Sequence, residues 1–162
     1  MSEHTHDIAF HKFISSNNDV LKYLHNTSDE EIAISIMQNG FRFESRLDYT
    51  TDMVSGNDVV QIEYFKLIRK KYGKFTMVIH IGKNIVDKYN LLLKNTVFFF
   101  YEVISTLESE LSQDGESVFV LNPQFVKGYY IHEKKIGIIN PLYNPNNDLP
   151  EFEQNLQRLL SK

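Results

Sequence analysis

The residue types best suited to chemistry fall in three short stretches. In VLKYLHNTS, residues 20–28, an apolar segment ends in His25, and Asn26, Thr27 and Ser28 follow at once. An imidazole offers one ring nitrogen as donor and the other as acceptor, and a threonine hydroxyl both gives and takes a hydrogen bond. Thr27 can also exchange a hydrogen bond with an amide two positions away. As a set these groups suit a ligand bearing a carboxamide or hydroxyls. A helix capped by Thr27 or Ser28, with His25 incidental, accounts for the same residues. In LDYTTDMVSG, residues 47–56, Tyr49 ends an extended segment ahead of a polar turn. Its ring can stack on a flat heterocycle. It can equally be a half-buried structural tyrosine, as most must be in a chain with nine of them, and Tyr64 carries the same two readings. In DGESVFVLNPQFVKGYYI, residues 114–131, Glu116 stands at the mouth of an apolar strand after a turn-forming Asp-Gly pair. A carboxylate there can hold a hydroxyl or stabilise developing positive charge, or be a solvated strand end.

Other chemistries lack their residues. There is no cysteine, which removes disulfides, thiolate metal sites and cysteine nucleophiles. The histidines are His4, His6, His11, His25, His80 and His132, and none forms the His-x-x-x-His pair of a helical zinc site. No Gly-x-Ser-x-Gly elbow is present, and no glycine-rich phosphate loop follows a strand. The net charge of −4 gives no global basic field for nucleic acid. The short cluster IRKKYGK, residues 68–74, reads as a solvated helix end, with local nucleic-acid contact the alternative. MSEHTHDIAF at the start has neither an apolar signal core nor a basic flank. The longest apolar run, TVFFFYEVI, falls short of the ~20 residues a membrane span requires. The expectation is a soluble, cytoplasmic protein with no metal and no membrane partner.

The elements that must position these residues follow from periodicity. With 162 residues, 42% hydrophobic and 13% aromatic, the chain can bury the core of one domain. A single domain over 1–162 is expected: a short polar lead, a core over about 20–143, and a C-terminal helix over about 149–161. VLKYLH, residues 20–25, reads as a strand. SDEEIAISIMQNGF reads as a helix, with Ser28 and Glu31 at capping-box spacing, a stripe of Ile32, Ile36 and Met37, and Gly40 as its stop. FRFESRLDY reads as extended, and SGNDVVQIEYFKLIRKKYG as a second helix capped by Ser55 or Asn57. KFTMVIHI reads as an alternating strand. NIVDKYNLLLKN leaves helix and strand open, and TVFFFYEVISTLESELSQDG begins as a strand and continues as a helix. ESVFVLN is a strand, GYYIHEKKIGIIN a hairpin or two strands, and LPEFEQNLQRLLSK a helix. The order is mixed α+β, without regular βαβ alternation.

Taken together, the three stretches resemble the ADP-ribosyltransferase superfamily, in the diphtheria-toxin and poly-ADP-ribose-polymerase branch marked by His, Tyr and Glu on separate strands. LHNTSDEEIAISIMQNGF is similar to the family's first motif, a strand ending His-Gly-Ser/Thr followed by a helix closing on Gly and an apolar residue. YTTDMVS keeps the Tyr and the Asp-Met-Val-Ser of the second. ESVFVLNPQFVKGYYI is similar to the third, with Gln124 eight residues after Glu116. The order and spacing agree over roughly residues 20–131. Asn26 stands where the family has Gly, and Val60 stands at its second tyrosine, with Tyr64 one helical turn further along. The resemblance implies an α+β fold of split antiparallel β-sheets with flanking helices and an NAD cleft between the sheets. It implies transfer of ADP-ribose from NAD to an acceptor, with NAD as substrate and no metal. NAD glycohydrolysis, or an inactive NAD- or ADP-ribose-binding scaffold, fits the same motifs. The roles it implies are a ribose contact for His25, a carboxamide grip from the Asn26 backbone and the Thr27 hydroxyl, and ring stacking by Tyr49 with Tyr64. Glu116 would hold the nicotinamide ribose and stabilise its cation. The acceptor, whether protein, nucleic acid or small molecule, is not implied.

Overall fold

The computed structural model describes residues 8–15, 20–44, 52–54, 74–93, 104–109 and 118–160. The described elements, in chain order, are α1 (Ile8–Ile14), β1 (Val20–Thr27), α2 (Glu30–Asn39), β2 (Phe41–Glu44), β3 (Asp52–Val54) and β4 (Phe75–Gly82). They continue with α3 (Lys83–Leu93), β5 (Ser105–Ser109), β6 (Val118–Leu121), a 3-10 turn (Pro123–Phe125), β7 (Val126–Ile131), β8 (Ile136–Ile139) and α4 (Pro150–Leu160). The strands form two sheets, one of five in the order β3-β1-β4-β7-β8 and one of three in the order β2-β6-β5. Every pairing is antiparallel. The α+β class expected from the sequence is the class observed.

Alternation along β1 and β4 sorts their side chains onto two faces. Tyr23, Met77, Ile79 and Ile81 join the main core, which Phe41, Phe43, Phe119 and Leu121 enter from the three-stranded sheet. Ala33, Ile36 and Met37 of α2, Ile85 and Tyr89 of α3, and Phe152 and Leu156 of α4 complete it. On the opposite face Leu24, Val78 and Tyr130 pack with Phe10, Phe13 and Ile14 of α1. β4 is therefore covered on both sides and is buried throughout from Thr76 to Gly82. The alternation read in KFTMVIHI does not divide it into a wet and a dry face, because α1 shields the second one. The segment expected as a polar lead supplies that cover. Gly137 of β8 admits the Phe13 ring where a Cβ would collide with it.

Several expectations at element ends change. Ser28 is exposed and does not cap α2. Asp29 is the N-cap, and its Oδ1 accepts from the Glu31 amide at 2.9 Å. The buried stripe is Ala33, Ile36 and Met37, and Ile32 is 48% exposed. Gly40 ends the helix as expected, at φ 99°, its amide donating to the Ile36 carbonyl. Lys83–Leu93 resolves as helix. Residues 105–109, expected within a helical continuation, form β5 instead, since pairing with β6 overrides local propensity. The second expected helix, over SGNDVVQIEYFKLIRKKYG, lies outside the described residues.

Candidate functional site

The site is built on the C-terminal end of β1. Its ladder with β4 runs the full length of both strands, from Val20 opposite Gly82 to Thr27 opposite Phe75. Its described ladder with β3 covers Lys22, Tyr23 and Leu24 and ends at Asp52, the first described residue of β3.

Alternation fixes where the three side chains go. His25 and Thr27 share the Tyr23 face, which turns toward the three-stranded sheet. The His25 ring lies against Phe41 at the start of β2, with centroids 4.9 Å apart and planes tilted by 58°. It is half-buried, so it borders both the core and solvent. Thr27 is buried, and its hydroxyl accepts from the Asp29 amide at 3.3 Å. That is the two-residue hydrogen bond foreseen for Thr27. It organises the turn into α2 without making Thr27 the cap. Accepting through one lone pair leaves the hydroxyl hydrogen and a second lone pair for other partners.

Asn26 points the other way. Its Oδ1 accepts from the Thr76 hydroxyl at 2.6 Å. Thr76 Oγ1 lies 2.6 Å from His132 Nε2. The single hydroxyl hydrogen of Thr76 is directed at Asn26, so His132 donates to Thr76 from Nε2–H. His132 is enclosed by Phe10 and Tyr130, with ring centroids at 4.9 and 5.2 Å. The Asn26 side chain thus sits on the α1 face, clear of the face that carries His25 and Thr27. This network was missed in the sequence, where Asn26, Thr76 and His132 lie far apart. Only the β1–β4–β7 register brings them together.

Two residues of the third stretch are placed. The Tyr129 hydroxyl donates to Glu30 Oε2 at 2.7 Å and ties the first turn of α2 to β7. Burial, then the hydrogen bond and charge of Glu30, push the Tyr129 phenol up to about 12, so it remains a donor at neutral pH. Gln124 is buried, and its Nε2 donates to the carbonyls of Asn144 and Asn147. It anchors the loop before α4. Tyr49, Val60, Tyr64 and Glu116 lie outside the described residues.

The remaining described histidine in the interior is structural. Nε2 of His80 donates to the Ile14 carbonyl at 2.7 Å, and Nδ1 accepts from the Tyr143 hydroxyl at 2.6 Å. Burial above all, opposed by the Ile14 bond and aided by Lys127 and Lys22, lowers its pKa to about 3. Among the described residues no group of three His, Asp or Glu side chains is placed to hold a metal ion. Nor is any described helix long and apolar enough to cross a membrane. No family profile, curated protein or solved structure matches the chain.

Proposed function

We propose that the chain is an NAD-dependent ADP-ribosyltransferase that works in the cytoplasm. The observation that carries this reading is the geometry at the end of β1. His25 and Thr27 share the face turned toward a second antiparallel sheet, and the Asn26 side chain lies on the opposite face. Two supports come from the sequence. Glu116 stands two residues before β6, the middle strand of the three-stranded sheet, and Tyr49 stands three residues before β3, the neighbour of β1.

In this mechanism the Thr27 hydroxyl donates to the nicotinamide carboxamide oxygen, and the Asn26 backbone binds the rest of the amide. Tyr49, with Tyr64, stacks on the nicotinamide ring, and His25 bonds a hydroxyl of the adenosine ribose. The bond from the anomeric carbon to the pyridinium nitrogen breaks with its electron pair going to nitrogen. Nicotinamide leaves neutral, and the positive charge passes to the ribose as an oxocarbenium-like species. Glu116 holds the 2′-hydroxyl and stabilises that charge as it develops, where an electrostatic contact lowers the barrier most. An acceptor then attacks the anomeric carbon and loses a proton.

The test is incubation of the full chain with NAD while free nicotinamide is followed, with and without protein, nucleic-acid and small-molecule acceptors. Acceptor-dependent release together with labelled acceptor is the expected result. Release without any labelled acceptor identifies a glycohydrolase. Binding without release identifies a scaffold of the same fold. No NAD or nicotinamide binding up to millimolar concentration, where ΔG is only about −4 kcal/mol, ends the reading.

A further inference from the structure

We propose that the Asn39–Gly40 peptide is a site of spontaneous covalent modification, held closed by the last turn of α2. It is the single Asn-Gly pair in the chain. The chemistry needs two neighbouring groups to meet. The Gly40 amide nitrogen loses its proton to solvent base and attacks Cγ of Asn39. A new C–N bond forms, the Cγ–Nδ2 bond breaks, and Nδ2 takes up a proton and leaves as ammonia. The product is a five-membered succinimide. Water then opens it at one of its two carbonyls and leaves aspartate or isoaspartate at position 39. A following glycine favours the closure, because it has no Cβ to obstruct the attacking nitrogen or to limit the backbone rotation that brings it in.

The fold both requires this pair and restrains it. Gly40 has φ 99°, and a Cβ there would collide with the Leu121 carbonyl and the Val120 side chain, so a glycine must follow Asn39. Asn39 is the last residue of α2 and is exposed to solvent. In the folded chain both reacting groups are engaged elsewhere. The amide of Gly40, a buried residue, donates to the Ile36 carbonyl at 2.9 Å. Asn39 Nδ2 donates to Ser35 Oγ at 3.3 Å. A bonded amide gives up its proton only when its bond opens, and helix ends open more readily than helix centres. Opening of the last turn therefore sets the rate. The isoaspartate product adds one methylene to the main chain and places a carboxylate at the negative end of the α2 dipole. The lengthened link falls two residues before Phe41, the ring on which His25 lies. None of this depends on what the His25 face binds.

The experiment incubates the full chain in mildly alkaline buffer, folded and in denaturing urea, and follows position 39 by peptide mass mapping that separates asparagine, aspartate and isoaspartate. Folded wild type should react about tenfold more slowly than the same chain in urea, the equivalent of one closed hydrogen bond. Gln38 is exposed in the last turn of α2 and takes no part in the chemistry, so it tunes the gate. Gln38→Gly weakens the helix and should speed the folded reaction about twofold to fivefold. Gln38→Ala strengthens it and should slow the reaction about twofold. In urea the three chains should react alike. Asn39→Gln should abolish the products at position 39 in both conditions. Equal rates for wild type folded and in urea overturn the proposal, as does an unreacted Asn39 in urea. So do folded rates that ignore both Gln38 substitutions. If Gln38→Gly fails to fold, the opposite effect of Gln38→Ala decides alone.

Discussion

Three consecutive residues at the end of β1 do three different jobs because a strand sends successive side chains to opposite faces. His25 leans on Phe41, Asn26 is tethered through Thr76 to His132, and Thr27 accepts from the Asp29 amide. Of the two readings that the sequence left open for Thr27, the helix cap falls to Asp29, while the Thr27 hydroxyl organises the turn by accepting from the Asp29 amide. In the proposed reading, the residue that separates an enzyme from a scaffold is Glu116. Glu116→Gln keeps the size and a hydrogen-bonding oxygen and removes the charge. NAD affinity should stay near wild type, and nicotinamide release should fall about 10²–10³-fold, the usual loss of one electrostatic stabiliser. An equally active Glu116→Gln would transfer the role to another carboxylate, with Glu108 and Glu110 next to be substituted.

At the scale of elements, the short helix α1 decides how the five-stranded sheet is finished. It lies on the face opposite His25 and Thr27 and completes a second apolar cluster with Leu24, Val78 and Tyr130. Three ties hold its C-terminal end. His80 donates to the Ile14 carbonyl, Lys127 Nζ donates to the Ser15 carbonyl at 2.9 Å, and the Phe13 ring lies 5.3 Å below that same ammonium. A cation at a helix C-terminus meets the negative end of its dipole. Burial lowers the Lys127 pKa, but the ammonium that makes these contacts is the form present at neutral pH. Phe13→Ala should therefore destabilise by about 3–5 kcal/mol, the range for an aromatic removed from a core. In the proposed reading, nicotinamide release per folded molecule should be preserved, because α1 and the His25 face lie on opposite sides of the sheet. Denaturant melts checked against wild type measure the first part. A variant as stable as wild type would mean that α1 is not part of the cooperative fold.

For the molecule as a whole, His80 links stability to pH. Its folded pKa is about 3 against an unfolded value of about 6.5. Between those limits the unfolded chain binds the extra proton, so stability falls as pH drops from about 6.5 toward 3, by up to about 1.4 kcal/mol per pH unit. Above about 6.5 the imidazole is neutral in both states and its contribution does not change. Carboxylates titrate in part of the same range, so the measurement is a difference. Urea midpoints of wild type and His80→Gln are compared at pH 7, 5.5 and 4.5. Wild type should lose more stability on acidification than His80→Gln, and parallel profiles would show that the buried imidazole is not the titrating group.

The sequence by itself determined the local and periodic features. The α+β class, the strand over residues 20–25, the helix that ends at Gly40, the hairpin of β7 and β8, and the terminal helix all follow from patterns within about a dozen residues. So does the hydrogen bond between Thr27 and an amide two positions on. Apolar spacing, a glycine at positive φ and a turn hydroxyl act through near neighbours, and near neighbours are legible in a string. Tertiary structure decided what depends on register and cover. Nothing near KFTMVIHI announces that α1 will bury its second face. Nothing within residues 105–109 outweighs their helical look until β6 lies beside them, and Ile32 loses the buried position to Ala33 only because of how α2 meets the sheet. Nor does Asn26 reveal its partners, which are Thr76 fifty residues later and His132 beyond that. Those contacts exist because β1, β4 and β7 are aligned residue by residue, and that alignment is a property of the assembled sheet, where a slip of one residue would turn every side chain to the other face.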